Sequence, residues 1–253
     1  MPRANRFFLP GYIYHITHRC HKKDFLLKLR KDRKNWIRWL FESKKQYGLI
    51  VYNYMVTSNH IHLLVQSNKD FNTIPLSMKL IAGSTSKGYN IRKKRTGSFW
   101  EDRYHATAVQ SEEYLIRCMI YLDMNMVRAG VVSHPSQWRE CGFQEILKPK
   151  ERYGIINHEK LLKSLSLSSM DDLKLKYSRW LDDTIMNDSL KRDERWAKSI
   201  AFGDQNFIEN FKEKLGVEGR TRKPIYNDDG CYLEEPVACY VVSENLFIWN
   251  KVV

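Results

Sequence analysis

Hydrophobic and polar positions follow two periodicities in the first half of the chain. Apolar residues recur at helical spacing over residues 31–47 and 74–91, which predicts two amphipathic helices. Four other segments alternate bulky apolar with polar residues, or are almost wholly apolar, and predict β-strands: 11–18, 49–56, 61–65 and 99–109. The predicted order of elements is therefore β-α-β-β-α-β.

This order predicts a ferredoxin-like α+β fold. In that fold the first and third strands lie at the centre of an antiparallel sheet, and both helices cover one face. The other face is left open for a ligand. A further helix is predicted from Ser111, a favourable N-cap residue, to about Arg128, just before Gly130. This added helix is expected to lie across the open face.

The pattern weakens after Gly130, where Pro149 and Gly154 mark a connecting stretch. We therefore predict two domains, residues 1–150 and 151–253. Helix-like spacing between about residues 157 and 216 predicts that the second domain is mainly helical. The basic segment 219–223 carries no prediction beyond its composition. Its sequence leaves two roles open for the second domain, a DNA-binding extension and a regulatory cover over the site.

The charge of the chain favours a polyanionic partner. Lys and Arg number 42 against 29 Asp and Glu, so the formal net charge is +13. Aromatic residues make up 13% of the chain and supply groups on which unpaired bases stack. Nucleic acid is thus the leading partner, although a high charge also serves solubility alone.

Cysteine usage and the N-terminal segment predict a cytoplasmic protein. The five cysteines are widely spaced and form no Cys-x-x-Cys pair, which argues against a disulfide framework and a cysteine zinc site. The N-terminal residues lack the long apolar core of a signal peptide. No run of about 18 apolar residues is present to cross a membrane.

Candidate chemistry begins with His60 and His62, which lie two apart in a predicted strand and so share a face. Two imidazoles make half of a site for manganese, iron, cobalt, nickel or zinc, although strand histidines are often only half-buried polar residues. Tyr121 and Asn125 lie four apart on one helical face. Asn125 is a candidate third ligand, and Tyr121 either reaches a phosphate or packs in the core.

Three motifs then carry a resemblance to a known family. They are YMVTSNHIHLLV at 54–65, FWEDRYH at 99–105 and YLDMNMVRAG at 121–130. In this order they resemble the His-hydrophobic-His, aromatic-Trp-x-x-Arg-aromatic and Tyr-Ile-x-x-Asn-Pro-Val-Arg-Ala-Gly motifs of the HUH single-tyrosine transposases, most of all the REP-associated branch. The resemblance covers roughly residues 7–145. Met126 departs from it, standing where the family usually has proline.

The resemblance implies a metal-dependent endonuclease and strand transferase that acts on single-stranded DNA at hairpin repeats. Carried over position by position, it makes His60, His62 and Asn125 the metal ligands and Tyr121 the nucleophile that forms a 5′-phosphotyrosine. Mg²⁺ or Mn²⁺ is the implied metal, and suits a His-His-amide site open to phosphate. A homodimer is one assembly that this function allows.

Other residues are candidates for DNA contact. A basic run tracks the phosphate backbone in this interpretation, an aromatic pair stacks on unpaired bases, and an arginine is included through the resemblance alone. The set is Arg92, Lys93, Lys94, Arg95, Trp100, Arg103 and Tyr104. His15 and His18 lie three apart on opposite faces of a strand, so at most one reaches the metal neighbourhood. Neither is assigned as a ligand.

Two alternative functions stay open. RNA-recognition domains use the same β-α-β-β-α-β frame to bind RNA with no metal, but they stack bases on aromatic residues rather than on His60 and His62. A regulator that binds DNA without cleaving it is the second alternative. The presence of both Tyr121 and Asn125 argues against it.

Overall fold

The computed structural model describes residues 8–68, 70–187, 193–220 and 222–234. The end of the predicted second domain, 235–253, and residue 221 of the basic segment lie outside the described residues, as does residue 7 of the resemblance. Within these ranges no helix is long and apolar enough to cross a membrane.

Seven strands form one sheet: β1 (Ile13–Arg19), β2 (Ile50–Val56), β3 (His60–Gln66), β4 (His105–Val109), β5 (Ser199–Gly203), β6 (Pro224–Asn227) and β7 (Gly230–Glu234). Their order across the sheet is β2-β3-β1-β4-β5-β7-β6. β1 pairs antiparallel with both β3 and β4, and β2 pairs antiparallel with β3. The predicted ferredoxin-like arrangement, with the first and third strands inside the four-stranded unit, is confirmed.

The helices of the described ranges are α1 (Arg30–Tyr47), α2 (Thr73–Lys93), α3 (Glu113–Asp123), α4 (Asn125–Arg128), α5 (Phe143–Leu147), α6 (His158–Ser164), α7 (Met170–Met186), α8 (Arg195–Lys198), α9 (Gln205–Lys214) and α10 (Val217–Arg220). α1 buries Trp36 and Leu40 and ends at Gly48, whose φ of 68° is the left-handed conformation that glycine adopts without strain. An ion pair between Arg92 of α2 and Asp32 joins these two helices.

The two faces of the sheet carry different helices. His18 stacks on Trp100, whose indole N–H donates to the carbonyl of Ala82 in α2. His15, three residues earlier in β1, instead contacts Tyr121 of α3. Because side chains three apart in a strand point to opposite faces, α2 and α3 lie on opposite sides of the sheet. The added helix therefore covers the face that the sequence analysis leaves open.

The prediction of a strand over residues 99–109 is wrong for its first half. β4 begins only at His105. The carboxylate of Asp102 accepts the backbone N–H of Arg103 at 2.6 Å, and this local bond forms a turn that competes with the strand ladder. Phe99 is buried against Tyr89 of α2.

The prediction of Ser111 as the N-cap of the added helix is also wrong. α3 begins at Glu113, after Glu112 with φ of 60°. The backbone N–H of Glu112 donates to the carbonyl of Ser164 at 2.9 Å. This bond to α6 holds Glu112 in a left-handed conformation, so a helix cannot start one residue earlier.

The region after residue 150 contains the predicted helices, but it also contributes three strands that the sequence analysis does not predict. β5 pairs parallel with β4, and β7 lies antiparallel between β5 and β6. A buried hydrogen bond of 2.5 Å from Tyr177 of α7 to Asp123 of α3 gives a second connection. Burial raises the pKa of Asp123 to about 7. The sheet is thus continuous across the predicted domain boundary.

A buried ion pair connects α1 to the segment of residues 138–142, which covers the edge of β2. Glu140 is 4% exposed, and its carboxylate accepts from Arg33 at 3.2 Å and from Arg30 at 2.8 Å. The backbone carbonyl of Glu140 accepts the N–H of Val56 in β2. The guanidinium of Arg33 lies 4.6 Å from the ring centroid of Trp138. The segment is thus held by both charge and packing.

We expect Glu140→Ala to lower the free energy of unfolding by about 3 kcal/mol, because it leaves the buried charge of Arg33 without its partner. Urea denaturation followed by circular dichroism measures the change. Glu42→Ala is the control, since Glu42 and Lys45 form an exposed pair at 4.0 Å and the expected change is within about 0.5 kcal/mol. Equal stability of the Glu140 variant and the wild type would contradict this account.

Candidate functional site

A cleft of about 780 Å³ opens on the α3 face of the sheet. β1, β3 and the turn before β4 supply one side, and α3 and α4 supply the other. The predicted nucleophile and metal ligands all line this cleft, together with three arginines: Arg19, His60, His62, Arg103, Tyr121, Asn125 and Arg128. Residues distant in the sequence therefore meet at one place.

His62 is held at both ring nitrogens. Its Nε2 lies 2.9 Å from the amide nitrogen of Asn125, and its Nδ1 lies 2.9 Å from Nε2 of His15. An amide N–H that donates to Nε2 requires the proton of His62 to be on Nδ1, where it donates to His15. Burial, together with the charge of His105, lowers the pKa of His15 to about 3, so His15 is neutral at pH 7. This tautomer leaves the lone pair of Nε2 on the side of Asn125.

His60 is oriented by the turn that precedes β3. Its Nδ1 lies 2.7 Å from the carbonyl oxygen of the Asn59 side chain and 3.0 Å from the hydroxyl of Thr57. The Asn59 oxygen only accepts, so the proton of His60 lies on Nδ1 and the lone pair on Nε2. The rings of His60 and His62 have centroids 4.9 Å apart and are nearly perpendicular. Partners at the outer nitrogens are a common feature of metal-binding histidines.

The donor set fits a divalent ion. In the part of the chain that the structure describes, no group of three or more His, Cys, Asp or Glu side chains is arranged to hold a metal. His60, His62 and an oxygen of Asn125 could hold the ion at the cleft once the Asn125 amide is turned over, since its nitrogen now lies 2.9 Å from Nε2 of His62. Two imidazoles and one amide oxygen are ligands that Mn²⁺ accepts, and three protein ligands leave positions for phosphate and water.

Tyr121 lies beside these residues with 7% of its surface exposed. Its ring is perpendicular to that of His62, with centroids 5.7 Å apart. The guanidinium carbon of Arg128 lies 4.3 Å from the centroid of the Tyr121 ring, and Nη2 of Arg128 donates to the Tyr121 carbonyl at 2.8 Å. A cation over the face of an aromatic ring is attracted to it, so Arg128 helps to hold the ring of Tyr121 beside His62.

The chain stays helical beyond Asn125 although Met126 stands where proline is usual in the resembling motif. The N–H of Met124 donates to Ile120, and that of Arg128 donates to Met124. α4 then ends at Arg128, and Gly130, with φ of 66°, follows two residues later. Asn125 accordingly keeps its position one helical turn after Tyr121. The same continuation places Arg128 two turns after Tyr121, on the same side.

Of the seven predicted DNA-contact residues, Arg103 lines the cleft. The basic run lies at the end of α2, across the sheet from α3: Arg92 pairs with Asp32, Arg95 bonds Asn90 and the carbonyl of Ser98, and Lys93 and Lys94 are exposed.

The two aromatic candidates for DNA contact pack against the protein. Trp100 stacks on His18 with centroids 4.1 Å apart, and Tyr104 contacts His18 and Phe8. Both side chains are partly buried. DNA contact by these two residues stays a prediction.

Three residues next to Tyr121 receive no role in the sequence analysis. His15 is left unassigned there, although the β1–β3 register, which pairs Thr17 with His62, places it on the same face as His62. The spacing of seven between Tyr121 and Arg128 indicates a shared helical face. Trp196, whose ring centroid lies 6.0 Å from that of Tyr121, lies far away in the sequence, where no local pattern indicates it.

Two solved structures are similar to this chain. No curated protein matches the chain. A structure of a REP-associated tyrosine transposase bound to a REP hairpin is similar, with 16% identity, 59% of this chain and 87% of that chain covered, and a TM-score of 0.48. A candidate transposase from Deinococcus radiodurans R1 shows 17% identity, 47% and 92% coverage, and a TM-score of 0.34.

The family comparison covers the site residues. Residues 9–125 match the model of the family described as IS200-like transposases, and the match ends at Asn125. It therefore includes the histidine pair, Tyr121 and the asparagine. A transposase function is supported by this match. The resemblance to the transposases that the three motifs carry is thereby confirmed for residues 9–125.

Proposed function

We propose that this protein is an HUH-type endonuclease and strand transferase for single-stranded DNA, with Tyr121 as its nucleophile. The single observation that carries the proposal is the meeting of Tyr121, Asn125, His60 and His62 in one cleft. The reaction needs a nucleophile and a phosphate-binding centre side by side. The similar transposase structure with a bound REP hairpin supports hairpin DNA as the substrate class.

The cleft is suited to a phosphate. Arg19, Lys23, Arg103 and Arg128 line it, and their charges attract the DNA backbone. A divalent ion held by His60, His62 and Asn125, Mg²⁺ or Mn²⁺, would polarise the scissile phosphate and offset its developing charge.

Tyr121 carries out the covalent step. The phenol loses its proton and its oxygen forms a bond to phosphorus, while the bond from phosphorus to the 3′ oxygen breaks. The products are a 5′-phosphotyrosine and a free 3′-OH. Arg128, whose guanidinium lies over the ring, holds Tyr121 in position for the attack. A second 3′-OH then displaces Tyr121 and rejoins DNA with no need for ATP, because the phosphodiester energy is conserved.

The site draws on one chain. Tyr121 lies next to the histidines of its own chain, with centroids 5.7 Å from His62. This proximity favours action of the tyrosine in cis.

We expect purified protein to form an SDS-stable adduct with labelled single-stranded DNA carrying REP-like hairpins, in the presence of Mn²⁺ or Mg²⁺. EDTA is expected to reduce the adduct to background, and an excess of Mn²⁺ to restore it, because the phosphate is not polarised without the ion. Hairpin binding measured in parallel by gel shift is the control. Binding without an adduct, across varied hairpins and both metals, would favour the non-cleaving regulator instead.

A further inference from the structure

We propose that Trp196 is a positioning residue for Tyr121, so that the region after residue 150 forms part of the active site. The inference rests on the proposed function of Tyr121 as the nucleophile. It gives a task to α8 and β5, which lie outside the residues matched by the transposase family.

Trp196 packs against Tyr121, the proposed nucleophile. Its side chain is buried, with 2% exposed. Its ring centroid lies 6.0 Å from that of Tyr121, with the two planes at 33°, and 6.3 Å from that of His15. Ala197, the next residue, lines the cleft itself. Trp196 is thus in contact with both the nucleophile and the residue that orients His62.

The sheet fixes Trp196 in this place. α8 leads directly into β5, which pairs parallel with β4 through Ala201 and Phe202. The ring of Phe202 packs on Trp196 with centroids 4.6 Å apart. At the start of β5, the carbonyl of Ser199 accepts the hydroxyl of Thr107 in β4 at 2.5 Å. A rigid element therefore presents the indole.

The Tyr121 ring is bounded on its other sides by His15, His62 and Arg128. Removal of the indole leaves space into which the phenol can turn. An error of about 1 Å in the position of a reacting group costs on the order of 100-fold in rate, while the DNA-binding groups stay in place. Trp196 is therefore expected to act on the rate of cleavage rather than on binding.

We expect Trp196→Ala to reduce the rate of adduct formation at saturating hairpin DNA on the order of 100-fold, with little change in the Kd for DNA. Trp196→Phe, which keeps an aromatic ring, is expected to recover most of the rate, and Trp196→Leu much less. Trp180→Ala is the matched control, because Trp180 lies in α7 of the same region and is only partly buried. Its rate should equal that of wild type.

Two kinetic results would overturn the inference: a wild-type rate in Trp196→Ala, or equal rates in the Phe and Leu variants at equal thermal stability. If the alanine variant does not fold, the comparison of the Phe and Leu variants tests the inference. Absence of an adduct in wild type would count against the proposed function instead. A second measurement then tests the positioning role: the ¹⁹F resonance of 3-fluorotyrosine at position 121 should shift in Trp196→Leu and not in Trp180→Ala, and an unshifted resonance would refute the role.

Discussion

Tyr121→Phe is expected to abolish the covalent protein–DNA adduct and leave hairpin binding unchanged. The substitution removes one oxygen, the proposed nucleophile, and keeps the ring that contacts His62 and Arg128. Without the phenolic oxygen, residue 121 cannot form a bond to phosphorus, so the adduct should fall to background. The measurement is the SDS-stable adduct on a denaturing gel with Mn²⁺, beside a gel shift for binding.

The matched control for this experiment is Tyr153→Phe. Tyr153 is 76% exposed and packs edge-on against Phe41, away from the cleft. Its adduct yield should equal that of wild type. An adduct that persists in Tyr121→Phe would mean that another side chain attacks the phosphate, and mass spectrometry of the DNA-linked peptide would identify it.

His62→Ala should lower the rate of adduct formation on the order of 10²–10³-fold, as expected for loss of a group that stabilises charge in the transition state. His62 contacts Asn125 on one side and His15 on the other, each at 2.9 Å. Its removal takes away one proposed ligand and the group that orients a second. Single-turnover kinetics measures the rate, and titration calorimetry with Mn²⁺ measures the affinity for metal, which should fall as well.

The control for His62 is His134→Ala. His134 lies on the segment after α4, where it caps the short helical turn at Pro135–Gln137. The His134→Ala variant should have the wild-type rate of adduct formation and the wild-type affinity for Mn²⁺. If His62→Ala binds Mn²⁺ as tightly as wild type, the metal site lies elsewhere. If the affinity falls and the rate does not, the ion has no part in the covalent step.

The ferredoxin-like frame follows from the sequence because its strands and helices show clean periodicities. The candidate site follows for the same reason. The spacing of two in His60-x-His62 and of four between Tyr121 and Asn125 are the repeats of a strand and a helix, so each pair shares a face. The Asn125 amide beside His62 Nε2 then depends on the helix crossing the sheet, which the order of the elements predicts and the spacing of these residues alone does not.

The elements that the sequence does not predict depend on contacts that are not local. The turn before His105 forms because the Asp102 side chain accepts the backbone N–H of the next residue. The alternation of apolar and polar residues does not show that this N–H bonds a side chain rather than a neighbouring strand. β5 has only five residues and finds β4 about ninety residues earlier in the chain. Trp196 reaches Tyr121 only through that pairing, so no spacing within its own segment identifies it.

The parallel pairing of β5 with β4 also covers the edge of the ferredoxin-like unit at β4. In the order β2-β3-β1-β4, the fourth strand would be the last of the ferredoxin-like unit, with one row of backbone N–H and C=O groups open to solvent. Unpaired edges of this kind are templates for strand addition between molecules. The added strands move this edge to β6, which has only four residues and begins at Pro224, two features that make an edge a poor template. A chain shortened to its transposase-like part would instead expose the longer edge of β4.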